Sequence, residues 1–301
     1  MARSDRRSFI KNGFIGMAAM GAAGAAGNAA MQTGQLPKQN VDPQAPTDFK
    51  LGLVTYNLAK DWDIDTIIKN CEATGFEGAE LRTTHKHGVE PTLSKAQRAE
   101  VRKRFADSRV KLVSLGSTCE FESPDPAVVE RNIRTAREFC ELAHDVGAIG
   151  VKVRPNGFPP NVPQEKTLDQ IGHALSKCGD IARDNGVEIW LEVHGKGTQL
   201  PKNIHRVMTV ADHPAVGICW NSNPPDVVGG SVRENFDLIG PWLRSCHIHE
   251  LWDAEYPYGE LFALFRSVGY NRYTLAEIQG SCEPIRLMHY YRKLWEYEAA
   301  A

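Results

Sequence analysis

Four short apolar runs in the second half of the chain each close on a side chain able to hold a cation. VEIWLEVH carries Glu192, VGICWN carries Asn221, RSCHIHE carries His247 and RYTLAEIQ carries Glu277. A run that turns polar only at its end is how a buried parallel strand reads when it delivers a side chain to the mouth of a barrel. Two carboxylates, an imidazole and an amide oxygen form a mixed oxygen and nitrogen donor set. It suits one divalent ion, Mn²⁺, Mg²⁺, Co²⁺ or Zn²⁺, better than a thiolate metal. Such an ion beside a carbonyl and its neighbouring hydroxyl stabilises an enediolate, so the expected chemistry is proton transfer next to a carbonyl. A leaving group β to the enolate would be expelled from the same intermediate, which makes isomerase, dehydratase and lyase close chemical neighbours.

Other polar residues fall around the same mouth. Alternation puts Ser245, His247 and His249 on one strand face, with His249 and Glu250 at the rim. Lys152 and Arg154 alternate on an earlier strand and are expected to fix a polyhydroxylated or anionic substrate, unless nearby acids pair with them. His194 and His85 are further substrate-binding candidates. Glu80 closes the second strand, His87 lies in the next loop, and Cys119 and Glu120 are expected to edge the pocket. Trp190 and Trp220 are expected to pack between barrel and helices.

The elements that must position these residues repeat. Strands are predicted at residues 51–56, 78–81, 110–115, 150–154, from 187 onward, and at 216–220, 243–249 and 273–278. Helices are predicted at residues 64–73, 94–108, 126–146, 167–185, 202–211, 232–239, 258–268 and 284–298, with Ser94 as an N-cap and Gln97 completing a capping box. Eight alternating pairs favour an α/β fold, a single closed parallel (β/α)8 TIM barrel over residues 48–298. An open doubly wound sheet would bring a glycine-rich loop after its first strand, and Tyr56-Asn57-Leu58-Ala59-Lys60 is not one.

The bulk composition fits such a domain. The 301 residues are 42% hydrophobic and 24% charged, with a formal net charge of -2. No basic stripe marks a nucleic-acid binder, so the expected partner is a small-molecule carbohydrate. A homo-oligomer is compatible with the sequence. The seven cysteines are scattered without a CxxC spacing and read as small buried hydrophobes rather than disulfides or a zinc knuckle. Residues 1–30 carry Ser4-Asp5-Arg6-Arg7-Ser8-Phe9-Ile10-Lys11 and then a weakly apolar Gly, Ala and Met stretch, as in a twin-arginine signal peptide. Cleavage is expected near Ala29 or Ala30, with no lasting membrane span. Residues 31–47 read as a flexible leader, and the location implied is periplasmic or otherwise extracytoplasmic.

The segments GFEGAEL, LEVH, CHIHEL and LAEI, in that order and spacing, resemble the xylose isomerase-like TIM-barrel superfamily, the sugar phosphate isomerase and epimerase group. That resemblance implies a ligand set of Glu192, Asn221, His247 and Glu277, with Glu192 and Glu277 moving protons on the two faces of a sugar. It implies an isomerase or epimerase, with a carbon-oxygen lyase or hydratase acting on oxidised sugars such as 3-keto-glycosides as the alternative. Where the family pattern has Asp, this chain has Asn221, and Pro224 stands where a substrate-orienting His is frequent. Both departures tell against the usual epimerase reaction, and export tells against a sugar phosphate. A non-catalytic carbohydrate-binding barrel is the reading from another class. A nuclease of the endonuclease IV kind, which needs many more His and acidic ligands, is excluded.

Overall fold

The computed structural model describes residues 48–300. The twin-arginine stretch and the leader, residues 1–47, lie outside the described residues. Eight parallel strands close into one barrel in chain order. They are β1 (Lys50–Val54), β2 (Gly78–Arg82), β3 (Lys111–Gly116), β4 (Gly150–Val153), β5 (Glu188–Glu192), β6 (Val216–Trp220), β7 (Leu243–Ile248) and β8 (Tyr273–Ala276). The helices between and after them are α1 (Ile64–Thr74), α2 (Lys95–Ala106), α3 (Pro126–Val146), α4 (Gln164–Asp184), α5 (Pro201–Ala211), α6 (Arg233–Ile239), α7 (Tyr258–Ser267) and α8 (Pro284–Ala300). The predicted (β/α)8 barrel is the fold. No helix among the described residues is long and apolar enough to cross a membrane.

Local chemistry sets the helix ends. Ser94 and Gln97 form the expected reciprocal capping box at the start of α2. Asp125 accepts from Ala127 N ahead of Pro126, and Gly147 takes the left-handed turn, φ 80°, that ends α3. The main hydrophobic layer lies between barrel and helices, where Phe49 meets Phe262 tilted and Phe265 and Trp295 edge to face.

A smaller apolar plug of Val54, Val113, Trp190, Cys219 and Leu275 fills the barrel interior. Trp190 therefore lies inside the barrel, which corrects the expectation that it packs against the helices. It sits two residues before Glu192, and period-two alternation puts both on the inward face. Gly150 makes room for it, because a Cβ there would come within 2.6 Å of the Trp190 ring. Trp220 does pack outward, beside Phe236, as expected.

Two register slips shape the mouth. Between β2 and β3 the pairing moves from Ala79↔Leu112 to Glu80↔Ser114, and between β6 and β7 it moves from Ile218↔Leu243 to Cys219↔Ser245. Each skips one residue, as a bulge does, and re-aims the side chains beyond it. All seven cysteines are free thiols, six of them buried, in line with the sequence reading.

Candidate active site

At the C-terminal ends of the strands lies a cleft of about 450 Å³. Ligand atoms of Glu192, His247 and Glu277 lie within 4.8 Å of one another at its base. His247 is fully buried, with Nδ1 at 3.3 Å from Glu277 Oε2 and 3.7 Å from Glu192 Oε1. Its Nε2 lies 3.3 Å from Glu80 Oε1. Lys152, also buried, donates from Nζ to Glu192 Oε2 at 2.6 Å. Asn221, one residue past β6, borders the same cleft, and its buried Oδ1 has no hydrogen-bond partner among the described residues.

Charge bookkeeping shows what this cluster lacks. Glu80, Glu192 and Glu277 bring three carboxylates, and Lys152 returns one positive charge. Burial works against charge on Lys152, yet Glu192, Glu80 and Glu277 outweigh it and hold its ammonium above the ordinary value. Burial likewise opposes ionisation of Glu192 and Glu277. The Lys152 ammonium chiefly holds Glu192 below the usual carboxylate range, and His247 does the same for Glu277. Burial also disfavours a charged His247, beside which Cys219 is a thiol whose own ionisation burial suppresses. The Glu80 and Glu277 carboxylates nevertheless raise His247 well above its ordinary value. A ligating imidazole is neutral, and with His247 in that form the cluster's carboxylates outnumber its one ammonium by two in a poorly solvated site. A divalent cation balances both, and the unpartnered Asn221 Oδ1 and His247 Nδ1 are the remaining donors it needs. Glu192, His247 and Glu277 therefore fit such an ion, and Asn221, bordering the same cleft with an unpartnered Oδ1, is the residue that would complete the set.

The outer cleft is polar. The candidates Lys152, Arg154, His194, His249 and Glu250 all border it. Arg154 is tied to Glu120 at 3.0 Å, so the pairing named as its alternative is present. His249 Nε2 lies 3.5 Å from Glu277 Oε2, and the His194 Nδ1 faces Pro155 O at 3.2 Å. Glu250 accepts from Trp252 Nε1 at 3.1 Å.

Three of the sequence candidates lie elsewhere. His85 is not among the cleft residues; it stacks beside Tyr56 and pairs through Nδ1 with Thr55 Oγ1 at 2.9 Å. Burial, reinforced by Arg82 and His87, pushes its pKa down to about 4, so it stays neutral. Cys119 is a core residue, and Glu120 is engaged with Arg154 and stands outside the cleft.

Sequence reasoning passed over Tyr56, Asn57, Arg82, Gln199, Asn223 and Gln279, which also border the cleft. Most of them lie just past a strand end, which was the signal available. It also missed a buried network behind Asn221. Asp226 is fully buried, and its Oδ2 accepts from Asn223 N at 2.7 Å and Tyr256 OH at 3.0 Å; Trp220 Nε1 donates to Tyr256 OH at 2.8 Å. Burial lifts the Asp226 pKa to about 7 against the pull of those two bonds.

A closed parallel barrel with an acid-rich, histidine-centred cleft at its C-terminal mouth is a TIM barrel with its site on the face where this architecture holds its chemistry. The chain belongs to the xylose isomerase-like TIM barrel family, whose profile matches residues 68–223, just over half of it. Three solved structures share the fold. An L-ribulose 3-epimerase superposes with a TM-score of 0.69 at 15% identity, covering 83% of this chain and 94% of its own. A 3-keto-D-glucoside 4-epimerase from E. coli gives 0.68 at 15% identity, covering 84% of this chain and 100% of its own. The IOLI protein with a bound zinc atom gives 0.66 at 16% identity, covering 83% and 96%. Among functionally curated proteins, none matches the chain at a significant level.

Proposed function

We propose that the protein is a divalent-metal-dependent isomerase or epimerase acting on a carbohydrate by proton transfer beside a carbonyl. The observation that carries this reading is the convergence of Glu192, His247 and Glu277 within 4.8 Å, with the charge deficit described above. Support comes also from the solved relatives, which include two sugar epimerases and one protein with bound zinc. A divalent ion held there supplies Lewis-acid stabilisation of negative charge developing on substrate oxygens.

The chain's own residues divide the remaining work. Of the three clustered acids Glu277 is the most exposed, 18% at its side chain, and it takes or returns the proton on carbon. Glu192, with one oxygen held by Lys152, stays ionised and serves the opposite face. His249, beside Glu277, and the outer polar groups orient hydroxyls. Asn221 and Pro224 depart from the family pattern, which favours a second reading, a lyase or hydratase on oxidised sugars of the kind that one relative, a 3-keto-D-glucoside 4-epimerase, accepts. The twin-arginine stretch supports export, where glycosides rather than sugar phosphates are met.

The test is elemental analysis of the purified protein, followed by incubation with ketoses and 3-keto-glucosides in deuterated water, with and without chelator. We expect close to one divalent ion per chain and chelator-sensitive deuterium uptake at carbon. Epimeric product supports the first reading and an unsaturated product the second. Sugar binding that ignores chelator, with no exchange, would leave a carbohydrate-binding barrel.

A further inference from the structure

The GFEGAEL segment places Glu80 at the mouth, and the reaction above gives it no part. Glu80 is fully buried, and its Oε2 accepts from Ser114 Oγ at 2.7 Å. Its Oε1 lies 3.3 Å from His247 Nε2 without the alignment of a hydrogen bond, and neither atom has any other hydrogen-bond partner among the described residues. The other ring nitrogen, Nδ1, faces Glu277 and Glu192. The two nitrogens of an imidazole point away from each other, so a carboxylate on Nε2 cannot share an ion with Nδ1. Glu80 thus stands outside the ligand set while touching one of its members. The register slip between β2 and β3, which skips Val113, is what brings Ser114 opposite Glu80 and anchors the carboxylate in this orientation.

We propose that Glu80 is a positioning residue for His247. Its carboxylate takes the Nε2–H, which fixes the neutral tautomer whose Nδ1 lone pair is turned toward Glu192, Asn221 and Glu277. A carboxylate behind a ligating histidine holds the ring angle and raises its basicity, and losing it lowers metal affinity about 10- to 100-fold. The inference rests on the metal reading of the site.

Zinc affinity of the full chain is measured by chelator competition for wild type, Glu80→Leu, Glu80→Met and Glu80→Gln, with thermal melts to confirm folding. Leu and Met cannot accept a hydrogen bond and are expected to weaken zinc about 10- to 100-fold. Gln still offers a carbonyl oxygen to Nε2–H and is expected to rescue most of that loss. Spectra of isotope-labelled histidine in the zinc-loaded protein should show a protonated Nε2 on His247, slow to exchange in wild type and Gln and fast in Leu or Met. If either accepting-deficient variant that folds keeps wild-type affinity and the same Nε2–H signal, the proposal is overturned. A wild type that takes no zinc overturns the metal reading instead. The Nε2–H signal of the metal-free protein, compared between wild type and Glu80→Leu, then decides the Glu80–His247 pairing by itself.

Discussion

Strand β5 carries two buried carboxylates four residues apart on one inward face, and they have opposite fates. Glu188, at the closed end of the barrel, accepts from Arg272 Nη1 at 2.7 Å and Nη2 at 3.0 Å and from Trp190 Nε1 at 2.8 Å. Burial works against its charge, but Arg272 above all holds it below the ordinary carboxylate value. Glu192, at the open end, shares a single ammonium with two other acids. Burial of a carboxylate alone therefore says little about function. What separates the two ends is whether the protein's own groups complete the balance. Asp226 shows a third solution, in which burial lifts the pKa to about 7 and the group holds its proton more firmly than an ordinary carboxyl does.

The contrast between the two ends is tested most severely at Glu277. Glu277→Gln should leave the fold intact and cut solvent deuterium uptake at carbon by about 10²- to 10⁴-fold; retained exchange would remove Glu277 from proton transfer. Next in size is Asp226. Its folded pKa of about 7 lies above the ordinary 3.8, so folded chains keep a proton that unfolded chains release. Its contribution is intact below the unfolded value and falls as pH rises from about 4 toward 7, by on the order of 4 kcal/mol. Asp226→Asn should flatten that part of the stability profile in denaturant titrations, and parallel curves would contradict the role given to burial.

Arg272→Met probes the closed end. It should cost up to about 3 kcal/mol by taking the bidentate guanidinium from buried Glu188, which keeps Trp190 Nε1 and the more distant Arg244, with metal content unchanged in the same preparation. A fall in bound metal would show that the two ends are not independent. The smallest effect is expected at Asn221→Asp, which restores a negative ligand and should tighten metal binding roughly tenfold, about 1.4 kcal/mol. Unchanged affinity in a chelator competition would take Asn221 out of the ligand set.

The sequence made the barrel legible because each of its signals is local. The Ser94 and Gln97 box, Pro126 and Gly147 around α3, and the apolar strand runs depend on neighbours a few residues away. Glu192, His247 and Glu277 were legible for the same reason, as polar ends to apolar runs. The Lys152–Glu192 bond, the Glu80–His247 approach and the Asp226–Tyr256 bond depend on register slips and loop paths between distant segments, which no local pattern encodes. Trp190 is different, since the spacing to Glu192 was there to be used. Its bulk and apolar neighbours suggested the outer layer, while alternation required the inner one.

Ser222, just after Asn221, adopts a left-handed backbone with φ 42°, a conformation unfavourable for a residue with a side chain by roughly 1–2 kcal/mol. What holds it there comes from other strands: its Oγ donates to His247 O at 2.9 Å, and Asn223 Nδ2 donates to Val193 O at 2.6 Å. Neither restraint exists until β5 and β7 have docked on either side of β6. The left-handed turn after Asn221 is therefore held in place only where β5, β6 and β7 lie side by side, so its geometry depends on three strands rather than on its own sequence.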